Sequence, residues 1–283
     1  MPEDTPESLI IIAGRGDYPK QLAASARKQG VRRLAALAFR GETDRDMAGL
    51  VDEIAWVRVG QLGAAFEAMA GFGIPRAVMA GQIKPTHLFR MRMDGELIHL
   101  LARLKERNAH SIFGAIGDAL GERGIELLPA NRFMESNLTT PGVLTTRQPT
   151  PTELEDLALG LRVAKATSGL DIGQTVVVKQ GTILAVEAFE GTDKTIVRAG
   201  KVGGPGAVVV KVAKAGHDHR FDLPVIGMRT LAMLRKAKAS VLAMEAGRSI
   251  LLEPERCQAE ADRRRITLLA FDPETFTPTQ DPA

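Results

Sequence analysis

Short apolar runs alternate with longer segments of helical composition along the first half of the chain. The apolar runs that predict strands are "SLIIIAG" (8–14), "RLAALAF" (33–39), "EIAWVRVG" (53–60), "PRAVMAGQI" (75–83) and "GIELLPA" (124–130). The segments that favour helices are "KQLAASARKQG" (20–30), "GAAFEAMAGFG" (63–73), about 95–107 and about 110–123. Continuous apolar strands separated by helices are typical of a parallel sheet covered on both faces. We therefore predict a Rossmann-like N-terminal domain over residues 1–136.

The pattern breaks at "NLTTPGVLTTRQPTPTE" (137–153), which is rich in threonine and proline and has no helical periodicity. This composition favours a linker, or a loop wrapped between domains. Its last residues also predict a helix start, with Thr150 as the N-cap and Pro151 in the first helical position.

The second half mixes both kinds of pattern, and we predict a mixed α/β catalytic domain over residues 154–283. A helix over about 151–168 precedes "TVVVKQGTILAVEAFEG" (175–191), where "KQG" joins two β-rich runs and predicts a hairpin. The remaining predicted elements are a helix from about 192, the strand "AVVVKVAK" (207–214), helices over 227–239 and 254–265, and the runs "SVLAME", "SILLE" and "ITLLAF". The fold class is thus α/β, with two domains.

Composition excludes several classes of protein. A net charge of +3 and 4% aromatic residues argue against nucleic acid as a partner, and the basic run at 263–265 is better explained as a solvated helix face. The single cysteine, Cys257, excludes an internal disulfide and fits a reducing cytoplasm. The polar start "MPEDTPES" is not a signal peptide, and no apolar run is long enough for a transmembrane helix. Peripheral association with a membrane surface stays open, as does a homodimer.

The first candidate motif is "IIAGRGDYP" (11–19), a strand that ends in Gly14 and Gly16 and opens a helix. In parallel α/β sheets this turn binds phosphates through backbone N–H groups. Pro19 stands where the dinucleotide fingerprint has its third glycine, so contact with a phosphorylated ligand, dinucleotide binding and a purely structural turn all stay open. Asp17 would oppose an anion unless a metal or an arginine intervenes.

The second motif, "AGQIKP" (80–85), follows the fourth predicted strand. Ligands of open α/β sheets collect at this edge, where Gln82 and Lys84 would meet a polar ligand. A lysine in an ordinary surface loop is an equally good explanation.

The third motif combines "LDIGQTVVV" (170–178) with "AVEAFEGTD" (185–193). Thr192 and Asp193 would cap a helix after Gly191. Strict alternation places Glu187 on the same face as Ala185, within an apolar run. A buried carboxylate needs a cation or hydrogen bonds, so we favour a metal or a lysine as its partner over an exposed edge position.

The fourth motif is "VVVKVAKAGHDHRFDLPVIG" (208–227), in which charges of both signs follow an apolar strand. Asp218 and Asp222 have the oxygen ligands that Mg²⁺ prefers, and Lys211, Lys214 and Arg220 would neutralise phosphoryl charge. The alternative is a salt-bridged surface loop.

Taken in this order, these four motifs together with "EAG" (245–247) resemble the LpxI-type UDP-2,3-diacylglucosamine pyrophosphatases of lipid A synthesis in Gram-negative bacteria. The resemblance extends over nearly the whole chain. It implies two α/β domains and Mg²⁺-dependent hydrolysis of UDP-2,3-diacylglucosamine to UMP and 2,3-diacylglucosamine 1-phosphate (lipid X). It also implies a cytoplasmic protein for which peripheral contact with the inner membrane is possible.

The resemblance places the essential aspartate on Asp222 of "RFDLP", with Asp218 as its nearest rival. The family pattern leads us to expect glutamine before Asp218, where this chain has His217. Our hypothesis for Mg²⁺ uses Asp218, Asp222, Glu187 and Asp193. The hypothesis for substrate binding uses Gly14, Gly16, Asp17, Gln82, Lys84, Gln174, Thr192, Lys211, Lys214, His217 and Arg220.

Two functions of other classes compete with this interpretation. A nucleotide-sugar or lipid-binding protein would use the same residues without catalysis. An NAD(P)-linked oxidoreductase would use the N-terminal glycines, although their fingerprint is incomplete.

Overall fold

The structure is a computed structural model that describes residues 5–83, 92–106, 108–214, 218–221, 223–272 and 274–276. Its contacts divide the chain into two compact units. The first unit is Met1–Ser136 with Asp218–Asp222, and the second is Asn137–His217 with Leu223–Ala283.

The first unit is built on a parallel sheet. Its strands are β1 (Ser8–Ala13), β2 (Arg33–Phe39), β3 (Glu53–Val57), β4 (Arg76–Ala80) and β5 (Glu126–Leu128). They lie in the order β3-β2-β1-β4-β5, and every ladder is parallel. The apolar runs are continuous because both faces of the sheet are covered, which confirms the predicted fold class.

Helices cover this sheet. They are α1 (Tyr18–Lys28), α2 (Leu62–Phe72), α3 (Gly95–Ala102) and α4 (Ala109–Glu122). Phe66 and Met69 of α2, Leu97 of α3 and Leu120 of α4 are buried in one core with Ile10 of β1. The third helix was predicted over about 95–107 and is shorter in the structure, where it ends at Ala102.

The second unit holds a mixed sheet and a small parallel ladder. The strands in chain order are β6 (Gly142–Val143), β7 (Thr175–Lys179), β8 (Thr182–Val186), β9 (Val208–Lys211), β10 (Val225–Ile226), β11 (Val241–Glu245), β12 (Ile250–Leu251) and β13 (Thr267–Phe271). The main sheet has the order β6-β13-β11-β9-β7-β8, and β10 pairs with β12. The predicted hairpin is β7–β8, whose turn places Gln180 and Gly181 in the left-handed region.

The helices of this unit are α5 (Pro151–Gly169), α6 (Thr192–Gly203), α7 (Met228–Ala237) and α8 (Pro254–Arg263). Thr150 is the N-cap of α5 and forms a capping box with Glu153, as the sequence predicted. One face of the sheet packs against α5, and the opposite face packs against α6, α7 and α8. The carboxyl ends of β8, β9, β11 and β13 therefore lie along one edge between two covered faces.

Residues 137–153 contain more structure than their composition predicts. Gly142 and Val143 pair with β13 in antiparallel fashion, and the Thr139 N–H donates to the Ser249 carbonyl. Within the part of the chain that the structure describes, no helix is long and apolar enough to cross a membrane.

Candidate active site

Polar side chains collect at the carboxyl edge of the second sheet. Lys211 is the last residue of β9, and Glu245 is the last residue of β11. Glu187 directly follows β8, and Thr175 begins the antiparallel β7 beside Lys211. Each of these strands is apolar inside the sheet and becomes polar at this edge, which is the edge at which α/β sheets bind ligands.

Two of these side chains, Lys211 and Glu187, form a chain of hydrogen bonds with Thr192, the first residue of α6, and we call the three residues the Lys–Thr–Glu relay. Lys211 Nζ donates to Thr192 Oγ1 over 2.9 Å, and the Thr192 hydroxyl donates to Glu187 Oε1 over 2.9 Å. Lys211 is only 4% exposed and Glu187 8% exposed. A hydroxyl can accept one hydrogen bond while it donates another, so Thr192 lies between the Lys211 cation and the Glu187 anion and bonds to both.

The backbone around Glu187 explains why the carboxylate points into the relay. The Glu187 N–H donates to the Thr175 carbonyl over 2.8 Å, which continues the β7–β8 pairing beyond the strand. Gly173 passes so close that a Cβ atom there would lie 2.1 Å from the Glu187 carbonyl oxygen. A glycine at this position is therefore required for the approach of the two segments.

Two side-chain oxygens, one in the relay and one in the residue before Thr175, are buried without a hydrogen-bond partner among the described residues. They are Glu187 Oε2 and Gln174 Oε1. Leaving a buried polar atom unpaired costs about 1–3 kcal/mol, so such an atom in a folded protein normally has a partner, which can be an ordered water or an ion. A cation or a hydrogen-bond donor would satisfy either atom.

A partly buried ion pair lies on the face of this edge that packs against α5. Glu245 is fully buried, and its Oε1 is within ion-pair distance of Lys165 Nζ on α5. Neither Glu245 carboxylate oxygen has hydrogen-bond geometry with a described donor, so the contact is electrostatic in character. Lys165 was not among the residues predicted from the sequence, although the acid that ends the apolar run "SVLAME" indicated that a buried partner is needed.

The other predicted residues of this unit have partners away from the relay. Lys214 forms an ion pair with Asp171, which the sequence analysis had not singled out. Asp193 lies in the first turn of α6 and contacts Arg229 of α7, with 2.6 Å between Oδ2 and Nε. The N-cap of α6 is Gly191, so the prediction that Thr192 and Asp193 cap this helix was wrong.

Asp218 and Arg220 belong to the first unit, where they bind each other. Arg220 donates to the Asp218 carboxylate from Nε over 3.0 Å and from Nη2 over 2.7 Å, and its Nη1 lies 3.2 Å from Asp118. The hydrogen bond with Asp218 is the main reason that the pKa of Arg220 is raised. Asp222 and His217 lie outside the described residues.

The glycine turns of the first unit meet at the sheet edge. The Gly14 N–H donates to the Ala80 carbonyl over 2.7 Å, and the Arg15 N–H donates to the Gln82 carbonyl over 2.8 Å. A Cβ at Gly14 would lie 2.7 Å from the Gln82 backbone, so this contact requires glycine. The turns follow β1 and β4, between which the strand order reverses, and ligands of doubly wound sheets bind at that point.

The remaining residues predicted for this edge have mixed outcomes. Gly16 adopts a φ of 93°, which favours glycine. Asp17 precedes α1 and forms an ion pair with Lys20 over 3.1 Å, so a lysine balances its charge. Lys84 lies outside the described residues.

Among the residues that the structure describes, no group of three or more histidine, cysteine, aspartate or glutamate side chains could hold a metal ion. Glu187 contacts Thr192, Asp193 contacts Arg229, and Asp218 contacts Arg220. The proposed Mg²⁺ ligands therefore stay a prediction, in which Glu187 alone of these three has a buried oxygen without a partner.

The two α/β units, each with polar groups at the edge of its sheet, define a two-domain α/β protein. Residues 8–137 match the family model of the LpxI N-terminal domain, and residues 140–269 match that of the LpxI C-terminal domain. The chain belongs to the LpxI family.

A curated relative and a solved structure extend the comparison. The UDP-2,3-diacylglucosamine pyrophosphatase LpxI of Caulobacter vibrioides is 28% identical over 277 residues, which cover 94% of this chain and 98% of the relative. The biotin carboxylase domain of the Hydrogenobacter thermophilus 2-oxoglutarate carboxylase matches with 12% identity and a TM-score of 0.27. That match covers 69% of this chain and 40% of the other, and it carries no argument here.

Proposed function

We propose that this chain hydrolyses the pyrophosphate bond of UDP-2,3-diacylglucosamine and releases UMP and 2,3-diacylglucosamine 1-phosphate. The observation that carries the proposal is the match over nearly the full length of both chains to a relative named for this substrate and this bond. The match includes the segments that form the Lys–Thr–Glu relay, since the C-terminal family model spans residues 140–269.

The reaction consumes one water molecule. Its oxygen bonds to one phosphorus atom, the bond from that phosphorus to the bridging oxygen breaks, and the bridging oxygen leaves with the other phosphate. Charge builds on the phosphoryl oxygens in the transition state, so the enzyme must supply cations and N–H donors in a site that admits the attacking water but excludes bulk water.

The relay offers such groups at the sheet edge. Lys211 carries a buried ammonium whose charge Glu187 balances through Thr192. Thr192 also begins α6, where no side chain caps the helix in the described structure. Uncapped N–H groups at a helix N-terminus bind phosphate oxygens, so α6 would hold the pyrophosphate beside Lys211.

We further propose that the reaction depends on Mg²⁺. A buried carboxylate oxygen without a partner, as in Glu187, is the kind of hard ligand that this ion prefers, and Asp222 would supply a second carboxylate. Bound there, Mg²⁺ would neutralise phosphoryl charge and lower the pKa of water. Asp193 and Asp218 would join only if their arginine contacts loosened.

Asp222 is proposed as the base that orients water and accepts its proton. A carboxylate in this role needs an unshared oxygen within hydrogen-bond reach of the water. Asp218 is less suited to it, because its two oxygens both accept from the Arg220 guanidinium.

The proposal is tested by incubating the purified chain with UDP-2,3-diacylglucosamine and identifying the products by mass spectrometry. We expect UMP and 2,3-diacylglucosamine 1-phosphate in equal amounts, with turnover lost in EDTA and restored by Mg²⁺. Substrate binding without turnover in Mg²⁺ would instead identify a binding protein. Products from cleavage of any other bond would refute the assigned reaction.

A further inference from the structure

A shallow groove between α6 and α7 concentrates positive charge. Its basic side chains are Lys194, Arg198, Lys201, Arg229 and Lys236, and its acidic side chain is Asp193. The groove therefore carries a net charge of +4, whereas the whole chain carries +3, which leaves −1 for the remainder. We call this surface the basic groove.

Helical spacing brings these residues to one surface. On α6, Lys194, Arg198 and Lys201 are four and three residues apart and form one stripe, while Ile196 and Ala199 are buried on the opposite face. On α7, Arg229 and Lys236 follow the same spacing, seven residues apart.

The two stripes lie side by side because the helices approach closely. A Cβ atom at Gly200 of α6 would lie 2.5 Å from Cα of Ala237 of α7. With glycine at this position the two backbones nearly touch, so the charges of both helices form one continuous surface.

Apolar side chains interleave with these cations. Val202 is 69% exposed in the last turn of α6, and Val197 and Met233 line the same groove. Cations interleaved with one exposed and two half-buried apolar side chains fit the interface of an anionic bilayer, where apolar groups enter the acyl boundary and ammonium groups contact phosphates. A surface for single-stranded nucleic acid would present aromatic rings for stacking, and no residue that lines the groove is aromatic.

Three of the cations are available to an external phosphate. Arg198 is paired with Glu190 over 2.5 Å, and Arg229 is paired with Asp193. Within the described part of the chain, no carboxylate lies within ion-pair distance of Lys194, Lys201 or Lys236, and all three are exposed. Three unpaired ammonium groups on one surface indicate a polyanionic partner.

We propose that the basic groove docks on a bilayer surface that is rich in anionic phospholipid. The inference that this surface docks on a bilayer rests only on its charge and its apolar groups. Its purpose rests on the proposed function, because a substrate with two acyl chains resides in a bilayer and docking brings the enzyme to it.

The test is flotation of the full chain with vesicles that contain no substrate, made of phosphatidylethanolamine with or without phosphatidylglycerol. The groove variant combines Lys194→Gln, Lys201→Gln and Lys236→Gln. The matched control combines Lys28→Gln, Lys105→Gln and Arg162→Gln, three exposed residues outside the groove, and has the same net charge.

We expect binding that requires phosphatidylglycerol and is lost in high salt, because the interaction is screened. The groove variant should bind about 100-fold more weakly, given the contribution of each lysine at an anionic surface, and the control within about twofold of the original chain. Equal losses in both variants would show a net-charge effect and overturn the proposal. A groove variant that still binds vesicles would also overturn the proposal. That conclusion holds whether or not the variant loses binding to a single-stranded oligonucleotide.

The docking proposal and the proposed function can each fail without the other. Vesicle binding without any hydrolysis of detergent-dispersed substrate would leave the docking surface standing and refute the reaction. Hydrolysis of the dispersed substrate with no vesicle binding would do the reverse.

Discussion

Lys211 and Glu187 share a single hydroxyl, and each lies 2.9 Å from Thr192 Oγ1. Both charged side chains are buried at the end of a strand, where neither has bulk water as an alternative partner. The stability of both charges therefore depends on a side chain that carries no charge itself.

Replacing Thr192 tests this dependence. Thr192→Val keeps the shape but leaves a buried ammonium and a buried carboxylate without their shared partner, so we expect the free energy of unfolding to fall by about 1–3 kcal/mol. Thr192→Ser keeps the hydroxyl and should retain most of the stability and turnover. Urea denaturation and UMP release measure the two effects. A Thr192→Val variant as stable and as active as the original chain would contradict the dependence on the hydroxyl.

Lys211 and Glu187 should also be energetically coupled. Either Lys211→Met or Glu187→Gln alone leaves the other charge buried and unbalanced, which is strongly destabilising. The double variant removes both charges, so its loss of unfolding free energy should be smaller than the sum of the single losses by about 0.5–3 kcal/mol. Additive losses in a double-mutant cycle would contradict the relay.

Gly173 should tolerate no side chain. In Gly173→Ala the new Cβ would meet backbone atoms of Glu187, so we expect the unfolding free energy to fall by about 3 kcal/mol or more. Gly169→Ala is the matched control, because a Cβ there meets nothing within 4 Å and alanine favours the helix. Denaturation midpoints of the two variants should separate clearly, and similar midpoints would show that the segment shifts to make room.

Cys257 should be unreactive in the native protein. Burial raises the pKa of its thiol to about 11, so the thiol stays protonated at pH 8, and its Sγ–H donates to the Leu252 carbonyl. We expect a thiol-reactive dye to label the native chain at least about 100-fold more slowly than the unfolded chain, in which the pKa returns to about 9. Rapid native labelling at pH 8 would show that α8 opens.

Much of the fold was predictable from the sequence because the strands are continuous apolar runs and the longest helix begins at a recognisable cap. Thr150 and Pro151 identified the start of α5. The strands Gly142–Val143 and Val225–Ile226 were missed, because two residues are too short for an alternation pattern and only pairing with a distant strand defines them.

The site was predictable only in part, because contacts between residues distant in the sequence leave no local pattern. Alternation along β8 correctly indicated that Glu187 is buried. Its hydrogen-bond partner was not predictable: Thr192 had been assigned to helix capping and to substrate binding, and its contact with Lys211 forms only when β9 is placed beside β7 and α6. Lys165 contacts Glu245, which is 80 residues away in the chain, and Arg229 contacts Asp193, which is 36 residues away. A local pattern can indicate that a buried acid needs a partner, but it does not identify a partner so distant in the sequence.

The measurement that tests the central claim most directly is the rate of UMP release from UDP-2,3-diacylglucosamine in Mg²⁺, compared between the original chain and Asp222→Asn. We predict a loss of about 10²–10⁴-fold in kcat, because a positioned carboxylate can no longer accept the proton of water. Asp44→Asn, which changes an exposed carboxylate beside Lys20, is the control and should keep the original rate. No UMP from the original chain, or full turnover by Asp222→Asn, would contradict the account.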